Sequence, residues 1–216
     1  LGADAVTAAK IADDAISEEH LDATVITGMT ELAAEPADTD EFLISDAGTL
    51  KRIDYSHIKG DGITEADQWK ISANSNQGSN SDITSNWERN DQTNATYIGT
   101  GLTESSGIFS FPSTGKYLIN AQFTAQMEGS DTNVEVEFKV TTNNSSYTTV
   151  AYLLCGNGGG NDNTRNSLAQ SYLLDVTDTS NVKFKFKTGS FNSSTLIVGD
   201  TNLLLSGFTS IRLGDT

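Results

Sequence analysis

Leu1, Val6, Ile11, Ile16, Leu21 and Ile26 recur at intervals of five residues, with small or charged residues between them. Five is a poor multiple of the helical turn of about 3.6 residues, and being odd it alternates faces along a strand. Neither regular element therefore gives this repeat one apolar face inside a single chain. Several parallel copies do, by stacking a ring of apolar side chains at every fifth residue, and the spacing predicts a thin intertwined stalk over residues 1–30 with Val6, Ile11, Ile16, Leu21 and Ile26 on the common axis. Two other readings stay open. One is a disordered acidic linker, favoured by the high charge and low hydrophobicity; the other is an ordinary helix over Ala8 to Leu21, favoured by alanine and glutamate.

Composition changes after Asp67. Residues 1–67 carry 16 acidic and 4 basic side chains and no asparagine, whereas residues 68–216 carry 13 acidic and 9 basic with 17 asparagines. The first part is too short and polar to build much of a core, and the second is long enough to bury one. Between them, Phe42-Leu43-Ile44 and Leu50-Lys51-Arg52-Ile53 flank Asp46-Ala47-Gly48, the pattern of a β-hairpin. Asp54 or Ser56 then caps a short helical turn before Gly60-Asp61-Gly62. Three parts are expected: a stalk over 1–30, a hairpin neck over 31–67 and a head over 68–216. The hairpin is too small to stand alone and is expected to pack against partner copies.

In the head, Val134, Val136, Phe138 and Val140 alternate with Glu135, Glu137 and Lys139, and Val182, Phe184 and Phe186 alternate with Lys183, Lys185 and Lys187. Strict period two marks half-buried strands. Further strands are expected at Ile108–Phe111, Lys116–Gln126, Tyr147–Leu154, Leu168–Val176 and Leu204–Leu213, separated by Gly-, Asn-, Ser- and Thr-rich turns. The fold class is mainly β, a sandwich or barrel.

A net charge of −16 over 216 residues repels phosphate backbones and anionic headgroups, so neither nucleic acid nor a membrane surface is an expected partner. No apolar run is long enough to span a bilayer, and the acidic N-terminus lacks the basic and apolar regions of a secretory signal. The chain begins at Leu1, which leaves room for an upstream segment. Cys155 alone allows neither an internal disulfide nor a multi-cysteine metal site, and reads as a buried free thiol.

Groups that could support catalysis are sparse. His20 and His57 fall in the first 67 residues at no metal-ligand spacing, and are read as exposed or interfacial. Thr114-Gly115-Lys116-Tyr117 lacks the serine or threonine of a phosphate loop and precedes a strand. Glu135 and Glu137 share one strand face, whereas glycosidase carboxylates oppose each other across a sugar. Asn157-Gly158-Gly159-Gly160-Asn161-Asp162 resembles a single calcium-binding nonapeptide, which has no second copy to complete its ligand shell. No catalytic residue, metal or cofactor is expected. The same loop, with Asn157, Gly158, Asn161, Asp162, Asn163 and Arg165, is the candidate contact for a partner, since recognition often sits on loops carried by a rigid sandwich; a passive connection is the competing reading.

Trp87-Glu88-Arg89-Asn90, Tyr97, the run Gly107-Ile108-Phe109-Ser110-Phe111-Pro112-Ser113-Thr114-Gly115-Lys116-Tyr117-Leu118-Ile119 and Ser206-Gly207-Phe208 followed by Ile211 and Leu213 resemble the motifs of complement-head and tumour-necrosis-factor-like jelly rolls. The resemblance covers roughly residues 69 to 213 and implies a ten-strand jelly roll assembled as a homotrimer. Residues 5–16 and 40–53 resemble repeat and hairpin modules of fibre proteins from tailed, marine bacteriophages. Together they imply a virion structural protein on the outside of tail or capsid: a trimeric tail fibre or spike whose head binds the host surface, with a host glycan or outer-membrane component as its partner. Other virion proteins would be held through its N-terminal end. A capsid fibre or decoration protein whose head only caps the trimer is the alternative, and a polysaccharide-degrading spike is a third reading. In the implied topology Tyr117, Ile119, Ala121 and Phe123 fill the core, while Leu118, Asn120, Gln122 and Thr124 face neighbouring subunits. The strands carrying Glu137 and Lys185 are implied to be neighbours, with these two side chains coupled.

Overall fold

The structure is a computed structural model that describes residues 11, 12, 16, 20–60, 62–76, 78–128, 131–156, 163–192 and 194–216. The chain divides into two compact units, Leu1–Gly60 and Asp61–Thr216. Val6, Asn157, Gly158, Asn161 and Asp162 lie outside the described residues.

In the first unit Ile11, Ile16, Leu21 and Ile26 are all exposed, Ile26 to 81%. Among the described residues of the repeat there is one α-helical turn, α1 (Thr24–Thr27). Its β-branched sequence gives little helical signal; Ala23 stands at the N-cap without a side-chain cap, and just before it the Asp22 carboxylate accepts the Thr24 N–H at 2.8 Å. The expected hairpin is present as β1 (Glu41–Asp46) and β2 (Thr49–Asp54), pairing Phe42 with Ile53 and Ser45 with Leu50. Its turn holds Ala47 and Gly48 at φ of 49° and 84°, the left-handed geometry that two-residue hairpin loops require. A 3-10 turn, Tyr55–His57, follows with Asp54 at its N-cap.

The second unit is a two-sheet sandwich of β3 (Ala66–Ile71), β4 (Ser81–Asp82), β5 (Trp87–Arg89), β6 (Thr103–Ser105), β7 (Ile108–Ser110), β8 (Gly115–Met127), β9 (Asn133–Thr141), β10 (Thr148–Gly156), β11 (Thr164–Val176), β12 (Lys183–Gly189), β13 (Leu196–Ile197) and β14 (Gly207–Gly214). One sheet runs β10-β9-β12-β7-β6, with β4 beside β12; the other runs β11-β8-β14-β3-β5, with β13 beside β8. The chain crosses from one sheet to the other between β8 and β9, β10 and β11, and β11 and β12, which closes one core, with no helix among the described residues of this unit. β11 begins at Thr164, earlier than its apolar pattern suggests, because its whole length pairs with β8, from Thr164 opposite Met127 to Val176 opposite Gly115. Leu204 and Leu205 are not part of the last strand. They sit in the preceding loop, where the Thr124 hydroxyl donates to the Leu205 carbonyl at 2.9 Å.

Alternation decides which side chains meet inside. Tyr117, Ile119, Ala121 and Phe123 of β8 are buried, as expected, against Val134, Val136 and Phe138 of β9 and Phe184 and Phe186 of β12. Trp87 meets Phe109 edge-on at 4.9 Å, and Phe208 meets Phe109 and Phe184 at 4.7 and 5.2 Å. Each large apolar side chain buried here contributes about 1.5–3 kcal/mol, and well-oriented aromatic pairs add about 0.5–1.5 kcal/mol.

β9 and β12 are antiparallel neighbours, but their register corrects the expected charge pairing. Lys185 lies opposite Lys139, and Lys187 lies opposite Glu137. The core pairs Phe186 with Phe138 and Phe184 with Val140, and that packing fixes the register whatever the charges on the outer face prefer. Lys185 instead meets Asp82 at 2.6 Å and lies 4.4 Å from the Tyr147 ring.

Candidate functional site

The solvent face of the β11-β8-β14-β3 sheet carries the side chains expected at a subunit contact. Leu118, Asn120, Gln122 and Thr124 alternate with the buried residues of β8 and point away from the core. The register extends them into rows across the sheet. Leu173, Leu118, Ile211 and Ala66 stand opposite one another in turn, and Ala66 bridges to Ile98. Leu173 and Ile98, at the two ends of this apolar row, are 59% and 44% exposed. One pleat further along, Ser171, Asn120, Thr209 and Gln68 make a polar row. There the Ser171 hydroxyl donates to Asn120 Oδ1 at 2.6 Å and Gln68 Nε2 donates to Thr209 Oγ1 at 2.9 Å. The next row is Ala169, Gln122, Gly207 and Lys70.

The loop before β14 folds over the far part of this face. Lys70 Nζ donates to the Thr201 carbonyl and to Asp91 Oδ1, both at 2.6 Å, with Glu88 Oε2 at 3.6 Å. Its side chain is 0% exposed although it points out of the sandwich, because the loop covers it. The Lys70 hydrogen bond keeps the Asp91 carboxyl below its ordinary range. The Thr124 backbone N–H donates to Ser206 Oγ at 2.9 Å, and that hydroxyl donates to the Val198 carbonyl at 2.6 Å. Between loop and sheet lies an open concavity of about 300 Å³, lined by Gln68, Asn120, Gln122, Ser171, Leu204 and Thr209 among others.

At the β3 edge, Asp67 faces inward. Its carboxylate accepts Arg89 Nη2 at 3.0 Å, Trp69 Nε1 at 2.9 Å and the Leu102 N–H at 2.8 Å. Glu65 accepts the N–H groups of Thr100 and Gly101 at 3.0 and 2.9 Å. The two carboxylates thus hold the segment that ends the apolar row at Ile98. Gly101 has φ of 73°, and a Cβ there would stand 2.7 Å from Asp67 Oδ2, so the segment approaches Asp67 as closely as it does only with glycine at this position.

Of the candidate partner-contact loop, Asn163 and Arg165 are described. Both meet one amide: Gln126 Nε2 donates to Asn163 Oδ1 at 2.9 Å, and Arg165 Nε donates to Gln126 Oε1 at 3.0 Å. The Asn166 amide closes the base of the loop on the Gly156 carbonyl at 2.9 Å. Cys155 is a half-buried free thiol, its pKa pushed up by burial. His20 and His57 are exposed. Among the described residues no group of His, Cys, Asp and Glu is arranged to hold a metal.

Glu137 is drawn into a lattice on the opposite sheet, with Lys139 Nζ at 3.1 Å, Lys187 Nζ at 3.9 Å and the Thr149 hydroxyl as a further donor. Burial opposes its charge, but the hydrogen bonds from Thr149 and Lys139 and the charges of Lys139 and Lys187 outweigh that and keep its carboxyl below the ordinary range.

Sequence reasoning missed Lys70, Asp67 and the concavity. A signal for Asp67 was present: in Asp67-Gln68-Trp69-Lys70-Ile71, period two puts the aspartate on the apolar face with Trp69 and Ile71, where a carboxylate needs partners. No comparable signal exists for the concavity, whose wall and floor come from distant segments.

No protein-family model and no curated protein matches the chain. Solved structures of similar fold include Eiger TNF from S. frugiperda, 14% identical, covering 70% of this chain and 93% of that one with a TM-score of 0.52. Murine APRIL at pH 5.0 is 11% identical, with 69% and 98% covered and a TM-score of 0.50. At these identities the likeness is one of fold: a two-sheet TNF-like jelly roll.

Proposed function

We propose that this chain is a homotrimeric fibre or spike protein on the exterior of a tailed-phage virion, whose jelly-roll head attaches to the host surface without catalysis. The observation that carries the reading is unpartnered apolar surface in ordered rows. Leu173, Leu118, Ile211, Ala66 and Ile98 cross one sheet face, and Ile11, Ile16, Leu21 and Ile26 stand exposed in the first unit. The row across the sheet is contiguous in register, and contiguous apolar surface is the mark of an interaction face. The resemblance of the head to trimeric jelly rolls supplies the expected stoichiometry, and that of residues 5–16 and 40–53 to phage fibre modules supplies the setting. Engagement of Glu137 by Lys139, Lys187 and Thr149 supports adhesion over glycoside hydrolysis. The test is sedimentation of the purified chain followed by binding to candidate host cells. A stable monomer at micromolar concentration refutes the trimer. A trimer that binds no host cell favours a decoration protein whose head only caps the assembly, and reducing-sugar release from host polysaccharide would favour an enzyme.

A further inference from the structure

None of the first unit's described residues is buried. Its hairpin carries apolar side chains on both faces. Alternation puts Phe42, Ile44 and Ile53 on one face, where the Phe42 ring lies 6.2 Å from that of Tyr55. Leu43 and Leu50 stand on the other, 74% and 70% exposed. A lone two-stranded hairpin is marginal in water, so this unit needs cover from outside its own copy. The second unit differs, since each copy closes its own core over Phe109, Phe123, Phe184 and Phe186.

Charge opposes that cover. Residues 1–60 hold 13 acidic and 4 basic side chains. Three of the basic groups are engaged by carboxylates of their own copy: Lys51 pairs with Asp46, Arg52 with Glu41 and Lys59 with Asp38. The fourth, Lys10, lies outside the described residues. Copies therefore meet with carboxylates in excess, and self-repulsion of that kind loosens a compact state.

We infer that ionic strength is a switch that closes the first units of neighbouring copies on one another, while the head stays folded and assembled throughout. The inference rests on the homotrimer reading and deepens it. The occupant of the hairpin faces is a second copy of this chain, and the contact forms where salt screens the carboxylates. Fields reach about 30 Å at 0.01 M salt and about 3 Å at 1 M. Apolar burial is not screened, so salt favours closure. That sign is opposite to the one for an interface held by ion pairs, which salt weakens. Covalent linkage to an assembled head keeps the first units at high effective concentration.

The experiment is hydrogen exchange, read by mass spectrometry on the full chain in 0.01 M and 1 M NaCl, with sedimentation at both. Peptides covering β1 and β2 should gain at least about fivefold in protection at 1 M as the Debye length contracts, whereas those from β8 stay constant. Glu31 and Glu35 are exposed and outside the three ion pairs. Glu31→Gln with Glu35→Gln should raise the protection of β1 and β2 at 0.01 M at least about twofold. Protection that is flat or falls with salt overturns the inference, as does no response to the double substitution. In a Leu118→Asp chain that sediments as a monomer, the same peptides should exchange fast at both salts. A rise with salt there also overturns it, by placing the repulsion within one copy. A parent trimer with flat protection leaves the homotrimer reading intact and removes only the switch. A parent monomer at both salts removes both, and dissociation of the parent at 0.01 M overturns the switch by extending the repulsion to the head.

Discussion

Asp67→Ala removes the acceptor around which the β3 edge is built. The Asp67 side chain is 1% exposed and that of Arg89 33%. The substitution strips Arg89 of its counterion and leaves the Trp69 indole N–H and the Leu102 N–H without their acceptor. Breaking a fully buried ion pair from one side costs about 3–5 kcal/mol. Arg89 reaches some water and keeps a bond to the Leu102 carbonyl at 2.6 Å, which places the cost at the low end, about 3 kcal/mol. For a unit of this size each kcal/mol shifts Tm by about 2–4 °C, so the variant should melt about 6–12 °C below the parent. Circular-dichroism melts of the full chain read the shift. Replacing both partners, as Asp67→Leu with Arg89→Leu, should recover part of the loss, because no unpaired charge then remains. The variant should also self-associate more weakly, since Asp67 anchors the segment that carries Ile98. An Asp67→Ala protein melting within about 2 °C of the parent, less than 1 kcal/mol on the same scale, would refute this account.

Leu118→Asp should convert the proposed trimer to a monomer with its circular-dichroism spectrum intact, because Leu118 lies in the apolar row and not in the core; sedimentation velocity reads the change. In the first unit, Ile16→Asp would bring like charges together at the common axis at a cost of several kcal/mol per ion, and a variant that assembles and melts like the parent would make the five-residue spacing accidental. A double-mutant cycle between Glu137 and Lys187 should give a coupling of about 0.2–1 kcal/mol that fades with salt, while one between Glu137 and Lys185 gives none. The Glu137 carboxyl is depressed in the folded state. Its contribution is therefore complete above the unfolded value of about 4.3 and is lost as pH falls through the lower folded value. Urea midpoints of Glu137→Gln and parent should converge in that acidic window.

The sequence by itself determined the long strands of the head and the faces they present, because side-chain alternation is a local property of the backbone; β3 and the short strands β4, β5, β6 and β13 carry too little alternation to be read as strands. Val134 to Val140 and Val182 to Phe186 declared their buried faces, Asp46-Ala47-Gly48 declared the hairpin, and Tyr117, Ile119, Ala121 and Phe123 declared the core side of β8. Leu118 was legible as an outward residue on the same grounds. Alternation carries no information about register along a neighbour, and this is why Glu137 met Lys187 instead of Lys185: the fit of Phe186 against Phe138 settled the offset. Only the tertiary structure joined Leu173, Leu118, Ile211, Ala66 and Ile98 into one row, since these positions come from separate segments and each alone is an ordinary exposed or half-exposed apolar residue. The same holds for Lys70 and the concavity. Period two correctly turns Lys70 away from the core, yet it is buried because the loop around Thr201 folds back over it, and the space beside that loop exists only where wall and floor, distant in sequence, are brought together by packing.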